Sequence, residues 1–183
     1  MTDQKRLSVL IISPDPRTRG GVSEFIKMMV PHLQSTDVTH FAVGSTEGIE
    51  PENSLKTVWR LMTAPFRVAS LVRHKHFDVV HINPSLEPKP LLRDGMILVA
   101  LRAIKFRRVF VYFHGWRVTS EACIRAIPPL RWVFTWVLNG TASIMVLAPE
   151  FEDALVGMGV RADKIVVTST MFDGAYLENP LTA

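Results

Sequence analysis

The sequence has a single cysteine, Cys123, so no disulfide can close within the chain, and no Cys/His cluster has zinc spacing. That pattern fits a reducing compartment and a cytoplasmic protein rather than a secreted, disulfide-built one. Long apolar runs are also missing. Leu7–Ile12, preceded by Lys5 and Arg6, is too short for an export segment and runs into Pro14, Asp15 and Pro16 instead of a cleavage site. The uncharged stretch from Trp132 to Pro149 approaches the length of a membrane span. Asn139, Gly140, Thr141 and Ser143 break it, and the expectation is a helix, a turn and a strand. Internal repeats and low-complexity segments are absent, and so are the Gly-x-Gly-x-x-Gly dinucleotide pattern and the Lys-Ser/Thr pair of a P-loop.

Acid is scarce in one region. Between Lys56 and Arg108, 11 lysines and arginines stand against Asp78, Glu87 and Asp94, a local charge of +8 in a chain whose total is +4. Such a surface suits an anionic membrane, a phosphorylated ligand or nucleic acid. Nucleic acid is the weakest of these, because no RNA- or DNA-reading motif is interleaved with the charge.

With 183 residues, 48% apolar and 21% charged, the chain suits one well-buried domain. Short β-branched runs alternate with amphipathic ones. Strands are expected at Leu7–Ser13, Val38–Gly44, Asp78–Asn83, Arg108–Phe113, Ser143–Leu147 and Ile165–Ser169. Helices are expected at Val22–Leu33, Leu55–His74 with a kink at Pro65, Leu91–Ile104, Glu121–Leu138 with Pro128 and Pro129 able to start it late, and Pro149–Met158 capped by Gly159. This alternation is that of βαβ crossovers: an α/β, Rossmann-like, mostly parallel sheet with helices on both faces.

In such a sheet, ligands bind beyond the carboxyl ends of the strands. Two of those loops carry distinctive residues. After the first strand, Gly20 and Gly21 open a helix, where free amides and the positive dipole end favour a phosphate. The same glycines would also serve a simple chain reversal. After Val109–Phe113 comes His114-Gly115-Trp116, which can aim an imidazole into the crevice or simply satisfy a loop. His81, inside its strand, reads as structural. An oxidoreductase's dinucleotide domain is disfavoured, since Gly44 and Ser45 stand where an acid should close the second strand.

Gly20-Gly21-x-x-Glu24, Asp78-Val79-Val80-His81, His114-Gly115, and Leu155 to Gly159 followed by Asp163-Lys164-Ile165-Val166-Val167 together resemble glycosyltransferase family 4. The resemblance covers nearly the whole chain and implies the N-terminal, acceptor-side half of a two-domain GT-B enzyme. Residues 1–169 would be that domain and 170–183 the start of the linker, with the C-terminal donor-binding domain, or a partner chain supplying it, absent. Of the family's Asn-Gly-Val-Asp linker only Asp173 matches.

The implied reaction is retaining transfer of a sugar from a nucleotide diphosphate sugar to a glycan or lipid-linked acceptor, with no metal and no further cofactor. Gly20 and Gly21 would approach the donor diphosphate and His114 the donor sugar. The basic, amphipathic stretch Leu55–His74 reads as an ordinary helix packed on the sheet with a solvated basic face, or as a helix that lies on an anionic bilayer and holds the enzyme peripherally at the inner face of the membrane. A half that binds saccharide or membrane without turnover is the non-enzymatic alternative.

Overall fold

The computed structural model describes residues 6–44 and 54–170. Six parallel strands form one sheet: β1 (Leu7–Ser13), β2 (Thr36–Ala42), β3 (Val79–Ile82), β4 (Val109–Tyr112), β5 (Ser143–Val146) and β6 (Ile165–Val167), in the order β2-β1-β3-β4-β5-β6. Six helices connect them: α1 (Gly21–Met29), α2 (Ser54–His74), α3 (Pro88–Ala103), α4 (Val118–Ala126), α5 (Pro128–Leu138) and α6 (Pro149–Met158). The chain leaves β1 toward β2 on one side and returns to β3 on the other, so the order reverses between β1 and β3. That is the place where open α/β sheets bind ligands.

Strand periodicity divides the core into two unequal layers. Leu10, Ile12, Val80, Ile82, Val111, Ile144 and Val146 are sealed on one face under α2, α3, α5 and α6. On the other face, Ile11 and Tyr112 meet Phe25 and Ile26 of α1. Among the described residues α1 is the helix covering that face. Val79, Phe110 and Met145 there are consequently only half-buried, less enclosed than an apolar strand sequence suggests.

Most expected elements stand where periodicity put them, and the departures have local causes. The helix expected over Glu121–Leu138 is two helices. Pro128 disfavours helical geometry at the residue before it, and Ile127 is extended at φ −108°, ψ 99°, so α4 ends and α5 starts anew with Pro128 in its first turn. Pro88 likewise starts α3 three residues before the expected Leu91, because proline fits a first helical turn, which has no partner for its N–H.

Pro65 lies inside α2, which continues across it. The helix after Gly21 closes at Met29 and tightens into a 3-10 turn at Val30–His32 carrying Pro31. β2 begins at Thr36, two residues before the expected Val38. Gly159 does cap α6, in the left-handed region at φ 107°. The stretch from Trp132 to Pro149 is the rest of α5, a turn and β5, and no helix among the described residues is long and apolar enough to cross a membrane. Ser45, the loop at 47–53, Asp173 and all of the expected linker but Thr170 lie outside the described residues.

Candidate active site

The carboxyl edge of the sheet is built from the ends of β1, β3 and β4. Asn83 follows β3 and is buried, with its backbone N–H donating to Ile12 O at 3.1 Å and its side-chain Nδ2 to the same oxygen at 3.3 Å. That fixes the amide orientation and leaves Oδ1 as an acceptor. His114 Nε2 lies 2.9 Å from it and therefore carries the proton, which leaves Nδ1 as the acceptor nitrogen. The backbone supports this arrangement: His114 N–H donates to Pro84 O at 3.0 Å, Leu86 N–H to Gly115 O at 2.8 Å, and Ser85 pairs with Gly115 beyond the formal strand ends.

Gly115 is the point of closest approach. A Cβ there would stand 2.5 Å from Ser85 Oγ and 3.4 Å from Ser85 Cβ. Gly115→Ala is expected to destabilise the fold by about 1–2 kcal/mol, as modest overpacking does. Adding Ser85→Ala should recover most of that loss in urea unfolding, because it removes the nearer atom. Failure of the second change to rescue would show that Gly115 serves another purpose.

Three rings sit over this edge. His114 is 4.2 Å from Tyr112 and 4.6 Å from Phe25 between centroids, and Phe25 meets Tyr112 edge-on at 5.0 Å. Phe25 is the fifth residue of α1, so the helix opened by Gly21 leans directly on His114. The two sequence signals thus belong to one structural unit, joined through Phe25. Tyr112 Oη also donates to Ser169 O at 3.0 Å, tying the end of the described chain to the same platform.

Gly20 is the residue before α1 and adopts φ 151°, whereas a Cβ on either Gly20 or Gly21 would meet nothing within 4 Å. Gly20 is thus required by conformation and Gly21 by nothing among the described residues. The preceding loop is pinned by Asp15. Its side chain accepts from Arg17 N–H, Nε and Nη2 at 2.8, 3.1 and 2.8 Å, and its carbonyl accepts from the Thr18 and Ser23 hydroxyls at 2.6 and 3.2 Å. The Arg17 side chain holds the Asp15 carboxyl down at about 2. Glu24 is turned to solvent, paired with Lys27 at 2.7 Å. Among the described residues no group of three or more His, Cys, Asp or Glu is placed to hold a metal.

Histidines set the electrostatics of the edge. Burial, reinforced by neighbouring His81, lowers His114 to about 4, and burial alone lowers His81 to about 4. His81 Nε2 is enclosed without a partner while its ring stacks 6.5 Å from Tyr112. His40 on β2 bonds Ser13 Oγ at 2.8 Å and is also held below its usual value by burial, against an opposing pull from Asp15.

These imidazoles stay neutral in the fold while their unfolded counterparts protonate near 6.5. Stability should therefore be full above that pH and fall as pH drops toward 4. The loss between pH 7 and pH 5 should be on the order of 2 kcal/mol for each of His81 and His114. Urea unfolding at those two pH values measures it, and a flat profile would contradict the burial assigned to both rings.

Asn83, Phe25, Tyr112 and His40 carry this geometry without having been singled out in the sequence. The available signal for Asn83 was its position two residues after His81, on the same strand face.

A Rossmann-like α/β domain with its candidate site at the carboxyl edge beside the strand-order reversal is thus defined by fold and site together. The glycosyl transferase 4-like domain family matches residues 6–170, and the chain belongs to that family. In fold it is similar to UDP-N-acetylglucosamine 2-epimerase from Rickettsia bellii, with a TM-score of 0.63 and 14% identity. The match covers 97% of this chain and 49% of the epimerase, so the chain spans about half of that protein's length. No curated protein sequence matches the chain significantly.

Proposed function

We propose that this chain is the acceptor-side domain of a retaining glycosyltransferase that moves a sugar from a nucleotide diphosphate sugar to a glycan or lipid-linked acceptor. A second domain, in the same protein or in a partner, would supply most of the nucleotide site. The observation that carries the reading is the meeting of the α1 start and His114 at one sheet edge, within a chain of this family. That the similar solved structure is named for a UDP-sugar adds support for the donor class.

In this reading the backbone at Gly20 and Gly21 faces the donor diphosphate. The free amides of the first turn of α1 stabilise the charge that builds on the leaving group. His114 is neutral at pH 7 and its Nε2–H is committed to Asn83. Nδ1 then accepts from a sugar hydroxyl, so the residue orients the donor and does not act as a base. The locally basic surface supports a position against the anionic inner face of a membrane, where lipid-linked acceptors reside.

The test is an assay of the full-length protein with a panel of nucleotide diphosphate sugars and lipid or glycan acceptors. Equal amounts of transferred sugar and released nucleoside diphosphate are expected. No transfer with any donor, together with micromolar NAD binding, would overturn the reading in favour of a dinucleotide-binding domain.

A further inference from the structure

A second concavity lies behind the crevice. Helices α2, α3, α4 and α5 enclose a cavity of about 770 Å³, within the roughly 300–1,000 Å³ of pockets that bury small ligands. Its wall is apolar, with Met62 and Phe66 from α2, Leu91 from α3, and Phe134 and Val137 from α5. Asp94, the acid in that wall, is held by Arg93 Nε and Nη2 at 2.6 and 2.8 Å, so the pair neutralises itself and leaves no charge for a ligand to meet. At the inner end the wall is Pro84 and Phe113. Pro84 accepts the His114 N–H, and Phe113 directly precedes His114, so the cavity and the crevice share a partition.

The surface around the mouth is unlike that of an ordinary soluble helix layer. Phe66, Trp59, Leu92 and Trp132 are 75%, 73%, 66% and 66% exposed. Trp132 stacks on Trp136 at 6.0 Å, and Arg102 lies 5.1 Å over the Trp136 ring. Lys89 follows the lining residue Pro88 at the start of α3, Arg131 follows the lining residue Leu130 at the start of α5, and both are exposed. Large exposed apolar side chains flanking an apolar cavity mark a ligand, partner or membrane site. Tryptophans flanked by cations select the interface of an anionic bilayer.

We infer that the cavity receives a hydrocarbon chain of an anionic, phosphate-bearing membrane lipid, whose headgroup then lies at the crevice beside His114. The cations at the rim complement the lipid phosphate, the apolar wall complements its chain, and the shared partition sets the distance between chain and chemistry. This rests on the reading of a lipid-linked acceptor and states where that acceptor's chain is held.

Gly95 on α3 gives a clean test. It lines the cavity, a Cβ there meets nothing within 4 Å, and loss of a mid-helix glycine removes a helix penalty. Gly95→Phe should therefore fill the cavity and leave the fold intact. The 183-residue chain and this variant are titrated calorimetrically with monomeric dioctanoyl phosphatidylglycerol and with dioctanoyl phosphatidylcholine. The expected result is one saturable phosphatidylglycerol per chain, weaker binding of phosphatidylcholine, and affinity at least about tenfold lower in the variant, at an unchanged melting temperature.

Equal binding by both proteins, or no saturable binding, would overturn the inference. So would a concentration-dependent dimer that Gly95→Phe disrupts, since the occupant would then be a second copy. Because the chain is titrated without a donor, the result is separate from the transfer assay. Lipid binding without any sugar transfer would sink the transfer reading and leave the cavity assignment. Transfer to a lipid acceptor undiminished by Gly95→Phe would do the reverse.

Discussion

Gly21→Val in the full-length protein is expected to lower sugar transfer by on the order of 10²- to 10³-fold, the scale of a lost charge-stabilising backbone donor. The domain itself should barely notice. Gly21 is the first residue of α1, a Cβ there points into open space, and a β-branched residue in a first turn costs at most about 1 kcal/mol. The whole effect must then come from what the side chain blocks, which is the approach of a ligand to the backbone. Initial rates of nucleoside diphosphate release, set beside a thermal melt of the same protein, make the separation. Transfer retained with valine in place would remove the phosphate-loop assignment. Gly20→Val would be less informative, since φ 151° strains any side chain and adds about 1–3 kcal/mol of instability to whatever function is lost.

His114→Ala should reduce kcat/KM roughly 10- to 100-fold, the worth of about 1.4 to 2.7 kcal/mol of lost hydrogen bonding to substrate. Its cost to folding should be smaller, about 1–2 kcal/mol, from the unpaired Asn83 Oδ1 and the gap between Phe25 and Tyr112. Loss of turnover in a protein that still melts cooperatively supports the donor-orienting role. A variant that unfolds instead would make His114 a structural member of the aromatic cluster and no more.

Much of this was legible in the residues because the relevant forces are local. Leu7–Ser13 is a strand in sequence and structure alike, since Leu10, Ile11 and Ile12 are buried on its two alternating faces. Pro149 and Gly159 delimit α6 because each has one conformation that suits a helix end. The division of α4 from α5 was equally local. It rests on the clash of Pro128 with helical geometry at Ile127, and hydrophobic periodicity carries no trace of it.

The site was legible only in part. Glycines before a helix and a histidine after a strand reveal a loop's chemistry, but the bond from His114 to Asn83 joins residues 31 apart. Phe25 reaches His114 only because α1 folds back across the sheet. Crossover geometry creates these contacts, and no single stretch of sequence contains them. The cavity behind the crevice is less visible still. Its wall is drawn from four helices and the ends of two strands, and no one of these segments contains it.

The central claim is that the α1 start and His114 form one donor-binding edge. It is tested most directly by NMR on full-length protein labelled with ¹⁵N at glycine and histidine and titrated with a non-transferable 2-fluoro nucleotide sugar. The account predicts that the Gly20 and Gly21 amides and the His114 ring nitrogens shift together and saturate at one ligand per chain. Saturable binding that moves resonances elsewhere while these three residues stay still would contradict it.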